Sequence, residues 1–151
     1  MNEDLVKYSH SVVRIWGHFS LKTKYAHNIF ENHPEFREAS EKMILEIFDE
    51  INMEVDTYGF DDNHFHAIID LGLWNLPDLC KKLKGITGRK LLNQFPEIKK
   101  KYFWGSGLWS RAKYFYSIGR NKASVQKYVA KQKFFRNNLL NQQTTLTSFA
   151  S

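Results

Sequence analysis

The spacing of hydrophobic positions changes several times along the chain, and each change predicts an element. From Ser9 to Leu21 the residues alternate, with Val13, Ile15, Gly17 and Phe19 on one parity and Val12, Arg14, Trp16 and His18 on the other, which predicts a strand. Lys22-Thr23-Lys24-Tyr25 reads as its basic end or a turn, and His33-Pro34 as the start of a helix, since proline is tolerated in a first turn. From Glu35 onward, Met43, Ile44, Ile47, Phe48 and Ile51 recur at helical spacing against Glu41, Lys42, Glu46, Asp49 and Glu50. Glu54 to Phe60 predicts a second strand, Asp61-Asp62-Asn63 a turn, and the stretch on to Leu71 a third strand that closes an antiparallel hairpin. Asn75 is placed to cap a helix with Pro77 in its first turn and Leu76, Leu79, Cys80 and Leu83 along one side. Gly85-Ile86-Thr87-Gly88-Arg89-Lys90 breaks that pattern, and a short helix from Lys90 to Phe95 follows. The run Lys99-Lys100-Lys101 leads to a loop at Trp104-Gly105-Ser106-Gly107, Arg111 to Ile118 supplies a fourth strand, and a last helix runs from Lys122 to Phe134.

The order strand, helix, strand, strand, helix, strand, helix predicts an α+β fold. It is a ferredoxin-like or RRM-like antiparallel sheet with helices on one face and an appended C-terminal helix. Residues 1–136 are expected to form one domain, and 137–151 a polar, flexible tail. Phe65, Ala67 and Ile69 would pack under the helices, leaving His64 and His66 on the open face.

Charge sharpens the picture. Residues 1–70 hold 6 Lys/Arg against 14 Asp/Glu, a net −8, and residues 71–151 hold 16 against 2, a net +14, which together give the chain its +6. The basic part suits a polyanion, and Tyr102, Phe103, Trp104, Trp109, Tyr114, Phe115 and Tyr116 are interleaved with its cations, as suits unstacked bases and their phosphates. The alternative is a surface whose two halves attract each other within the fold. A lone cysteine, Cys80, excludes an internal disulfide framework and a cysteine-based zinc site, and reads as a small buried residue. No basic and apolar leader opens the chain and no run of eighteen apolar residues occurs, so a cytoplasmic protein without a membrane partner is expected.

Three places carry candidate chemistry. On a strand, His64 and His66 point the same way, and neutral imidazoles at that spacing can each offer a nitrogen to one divalent ion. Tyr128 and Gln132, four apart on the last helix, share a face. A tyrosine hydroxyl can attack a phosphodiester, and a glutamine carbonyl can complete a divalent site; simple packing and solvation are the alternatives. The glycines at 85 and 88 allow backbone to approach a phosphate or mark a simple turn, and the segment is not a P-loop because the Gly-Lys-Ser/Thr signature is missing.

Taken together, His64-Phe65-His66 after a hairpin, Lys84-Gly85-Ile86-Thr87-Gly88-Arg89, a tryptophan-containing loop and strand, and Tyr128-x-x-x-Gln132 on a late helix resemble the single-tyrosine HUH transposases, the TnpA proteins of compact insertion sequences. His18-Phe19-Ser20-Leu21-Lys22-Thr23-Lys24-Tyr25 is similar to that family's early strand, and the likeness covers roughly residues 10 to 133. It implies a transposase that nicks and rejoins single-stranded DNA. Tyr128 would form a 5′-phosphotyrosine, and His64, His66 and Gln132 would hold Mg²⁺ or Mn²⁺ against the scissile phosphate. It further implies a homodimer that recognises DNA hairpins at the element's ends. Among the basic residues, Lys84, Arg89, Lys90, Arg111, Lys113 and Arg120 are the candidate DNA contacts. The chain differs from the family's usual pattern at Thr87-Gly88 and Ala130-Lys131. The rival readings are a host-adopted or replication-initiator-like nickase using the same residues, and a single-stranded nucleic-acid binder without catalysis.

Overall fold

The structure is a computed structural model that describes residues 13–131. Four strands, β1 (Trp16–Lys22), β2 (Val55–Phe60), β3 (His64–Asp70) and β4 (Tyr114–Gly119), form one antiparallel sheet in the order β2-β3-β1-β4. The helices are α1 (Ile29–Asn32), α2 (Pro34–Glu50), α3 (Leu76–Gln94) and α4 (Pro96–Tyr102), and a last helix, α5, covers residues 122–131. The predicted α+β architecture is therefore present, with the first strand starting at Trp16 and the fourth at Tyr114.

Alternation along β1 and β3 sends Phe19 and Leu21, and Phe65, Ala67 and Ile69, to one face, where all five are almost fully buried. Helix α2 covers them with Phe36, Ile44, Ile47 and Phe48, residues three and four apart that share a stripe. Helix α3 adds Leu79, Leu83, Leu91 and Leu92. Its start is fixed as the sequence suggests: the Asn75 carboxamide oxygen accepts the Asp78 N–H at 2.8 Å, with Pro77 in the first turn.

The glycine segment is a correction. Gly85-Ile86-Thr87-Gly88 does not break the helix, and no separate helix starts at Lys90; α3 runs through from Leu76 to Gln94. Two interior glycines cost roughly 1 kcal/mol each in helix propensity. Burial of Leu83, Thr87, Leu91 and Leu92 outweighs that. Thr87 is tied in twice, its Oγ1 donating to the Leu83 carbonyl at 2.6 Å and accepting the Trp109 indole N–H at 2.8 Å. Helix α4, which the Lys99-Lys100-Lys101 run obscured in the sequence, packs through Ile98.

Two further features position the other sheet face. Gly17 lies under the Phe115 ring so closely that a Cβ there would meet it at 2.2–2.8 Å, which brings β4 flat against β1. Arg14, buried beside the sheet end, holds Glu54 at 2.7 Å and Asp70 at 3.2 Å; the other Asp70 oxygen accepts the N–H groups of Ile15 at 2.8 Å and Gly72 at 3.1 Å.

Candidate catalytic face of the sheet

The face away from α2 and α3 collects the candidate chemistry. Register places Ser20 opposite His66, Lys22 opposite His64 and His18 opposite Ile68, so these six share that face. The sequence reading left the face open, but α5 covers part of it. Val125 is buried there with Trp16 and Ile68, and Ile118, Tyr128 and Val129 pack around them. The helix is turned back over the sheet at Gly119, whose φ of +140° is a glycine conformation and where a Cβ would come 2.5 Å from Ser124. Asn121 then caps it, its Oδ1 accepting the Ser124 N–H at 2.9 Å and the Ser124 hydroxyl at 3.2 Å.

That docking brings Tyr128 to the strands. Its hydroxyl lies 2.6 Å from His18 Nδ1, and the His18 ring stands edge-on to both Tyr128 and His66, with 5.7 Å between centroids in each case. The His64 and His66 rings are 5.8 Å apart. Both point Nε2 at one spot, marked by Asp61 Oδ2 from the hairpin turn, at 3.0 Å from His64 and 3.8 Å from His66. His64 Nδ1 is 3.1 Å from Asn63 Oδ1. When Nδ1–H donates there, Nε2 turns its lone pair toward the spot where Asp61 Oδ2 lies. Two imidazoles with a hard oxygen nearby form a mixed nitrogen–oxygen donor set, which suits a transition-series divalent ion such as Mn²⁺ better than Mg²⁺. Among the described residues no group of three His, Cys, Asp or Glu side chains is arranged to hold a metal ion. Gln132, the remaining candidate ligand, lies outside the described residues.

Sequence reasoning missed His18 and Asp61. His18 was visible as a polar-parity residue of β1 and as the start of the segment similar to the family's early strand, without a role, and what gives it one is the long-range pairing of β1 with β3. Asp61 was read as turn chemistry, which it also is.

The candidate DNA contacts divide between the faces. Lys84, Arg89 and Lys90 belong to α3, on the helical side, where Lys84 and Arg89 line a cavity of about 440 Å³ with Asn93, Lys99 and Ser106. The Lys84 ammonium donates to the carbonyls of Ser110 and Ala112, each at 2.8 Å, tying α3 to the segment before β4. Burial holds its pKa below the ordinary lysine value. Arg111 and Lys113 lead into β4 and Arg120 leaves it, all exposed. The interleaved aromatics also separate: Phe103 and Trp109 are core, whereas Trp104, Tyr114 and Tyr116 are exposed. No described helix is long and apolar enough to cross a membrane.

Comparison with known proteins agrees with this architecture. The ISDra2 transposase TnpA of Deinococcus radiodurans is 26% identical over 123 residues, spanning 80% of this chain and 86% of that protein. The crystal structure of a candidate transposase from Deinococcus radiodurans superposes with a TM-score of 0.64 at 22% identity, covering 87% of this chain and 98% of that one, a likeness of fold. Residues 11–132 match the family described as "Transposase IS200 like". With that match spanning both the histidine strand and the helix of Tyr128, the chain belongs to the IS200-like transposases.

Proposed function

We propose that the protein nicks and rejoins single-stranded DNA, with Tyr128 as nucleophile and His64 and His66 as metal ligands. The observation that carries this is the shared face: two imidazole Nε2 atoms turned to one spot, and a tyrosine hydroxyl held on the adjoining His18. In the reaction the Tyr128 oxygen attacks phosphorus, the bond from phosphorus to the 3′-oxygen breaks, the phenolic proton is given up, and the 3′-oxygen leaves as a hydroxyl. A 5′-phosphotyrosine results. Attack by a 3′-hydroxyl of another strand reverses these changes and joins DNA with no net hydrolysis.

His64, His66 and, from resemblance, Gln132 would hold Mg²⁺ or Mn²⁺, which when bound supplies Lewis-acid polarisation of the phosphate. Asn63 Oδ1, accepting from His64 Nδ1–H, fixes the tautomer that leaves Nε2 free to bind, and Asp61 stands at the spot toward which both Nε2 atoms point. The exposed cations beside β4 meet the DNA backbone, and Arg89 and Lys90 on the helical side offer a second contact for hairpin ends. Homodimer assembly belongs to the same reading.

The test is a denaturing gel of purified protein with labelled single-stranded DNA from the flanks of its own gene, with Mn²⁺ or chelator. A protein–DNA adduct that needs metal and vanishes in Tyr128→Phe is expected. DNA binding without adduct or cleavage across those flanks would favour the non-catalytic binder instead.

A further inference from the structure

We propose that Tyr114 and Tyr116 form a base-stacking shelf on the catalytic face, taking the unpaired bases next to the phosphate held at His64 and His66. The proposal rests on the nicking reading above and adds how the substrate strand is laid on the sheet.

Register supports it. Tyr116 pairs with His18, and Tyr114 pairs with Ser20, which in turn pairs with His66. Paired residues in an antiparallel ladder share a face, so both tyrosines stand on the side of the histidines. Tyr114 is two strand spacings from His66, about 10 Å, and only the small Ser20 lies between them in that row. The imidazole and the ring thus lie in one row across the sheet face, with only a small side chain between them.

Exposure supports it as well. Tyr116 is 68% and Tyr114 43% exposed, whereas the alternating residue Phe115 turns to the core and packs over Gly17. The fold packs the aromatic at 115 against its core, while it leaves Tyr116 mostly uncovered and Tyr114 nearly half uncovered. Two large rings displayed on an outer strand suit a ligand with flat faces of its own.

Charge selects the occupant. Lys22 shares the face, Arg111 and Lys113 precede β4, and Arg120 follows it. Cations around exposed rings match a strand whose phosphates are anionic and whose bases stack, and stacking tolerates any base.

The test uses Tyr128→Phe protein, which leaves DNA uncut, and fluorescence anisotropy with single-stranded DNA from the gene's flanks, intact or carrying single abasic sites scanned along it. Tyr116→Ala is expected to weaken binding of the intact strand roughly tenfold, with Tyr116→Phe unchanged. At one or two abasic positions the Tyr116→Ala loss should disappear, because the ring and the missing base act as a pair. Tyr116→Leu, which keeps apolar bulk on the strand, should lose affinity like alanine; circular dichroism checks that each variant is folded. Unchanged affinity in Tyr116→Ala and Tyr116→Leu, or an equal loss at every abasic position, overturns the shelf. So does a change of oligomeric state with DNA affinity intact, which would make the face an interface between copies. Failure of wild-type protein to form the metal-dependent adduct would instead sink the nicking reading, while the abasic coupling still reports on the shelf.

Discussion

The Tyr128 hydroxyl and His18 Nδ1 are 2.6 Å apart across a sequence separation of 110 residues. The contact holds the candidate nucleophile on His18, whose ring packs edge-on against that of His66. His18→Ala is expected to slow adduct formation roughly ten- to hundredfold, the range for a misplaced reacting group, while DNA affinity stays near wild type. His18→Asn, whose amide reaches close to the Nδ1 position, should recover part of the rate. Single-turnover kinetics with a binding titration separates the two effects.

If His64 and His66 together form the proposed divalent site, the loss of one imidazole weakens it. His66→Ala is expected to weaken Mn²⁺ binding by about tenfold or more in isothermal titration calorimetry, without DNA present. Asn63→Ala, which frees His64 Nδ1, should weaken it by less.

The buried cluster at the sheet end predicts a stability effect distinct from catalysis. Asp70 is 3% exposed and serves Arg14, Ile15 and Gly72 together. Asp70→Ala leaves a guanidinium buried with Glu54 as its remaining carboxylate among these two, and should cost about 3 kcal/mol, read from the urea midpoint at unchanged m-value.

Cys80 should be inert until the protein unfolds. Burial pushes its thiol above the ordinary cysteine range, only partly offset by the nearby Lys84 and Lys113 charges. A raised value means less thiolate at any pH below it, and the sulfur is also covered. Alkylation at pH 8 should be slow in native protein and rapid in denaturant, followed by mass spectrometry.

The strands and the main helices were legible because each carries its own period: alternation in β3, the three-and-four spacing of α2, the Asn75 cap of α3. The histidine pair was legible for the same reason, since His64 and His66 are two apart on one strand. What depends on distant contacts was not. The glycines at 85 and 88 read as a break because the leucines that hold α3 together through them find partners in other elements. His18 had no role until β1 was laid beside β3. The covered half of the face was invisible too, because Trp16, Ile68 and Val125 meet only in three dimensions.

That small cluster has a consequence for how the molecule can work. The helix of Tyr128 rests on Trp16 and Ile68, apart from the large core under α2 and α3, and is joined to the sheet through one glycine turn. Its amide protons should therefore exchange through a local opening, at lower free energy than those of β1 and β3. The candidate nucleophile is thus carried on an arm that a local opening would lift while the platform stays folded, so its reach would be set by the Gly119 turn and not by the melting of the domain.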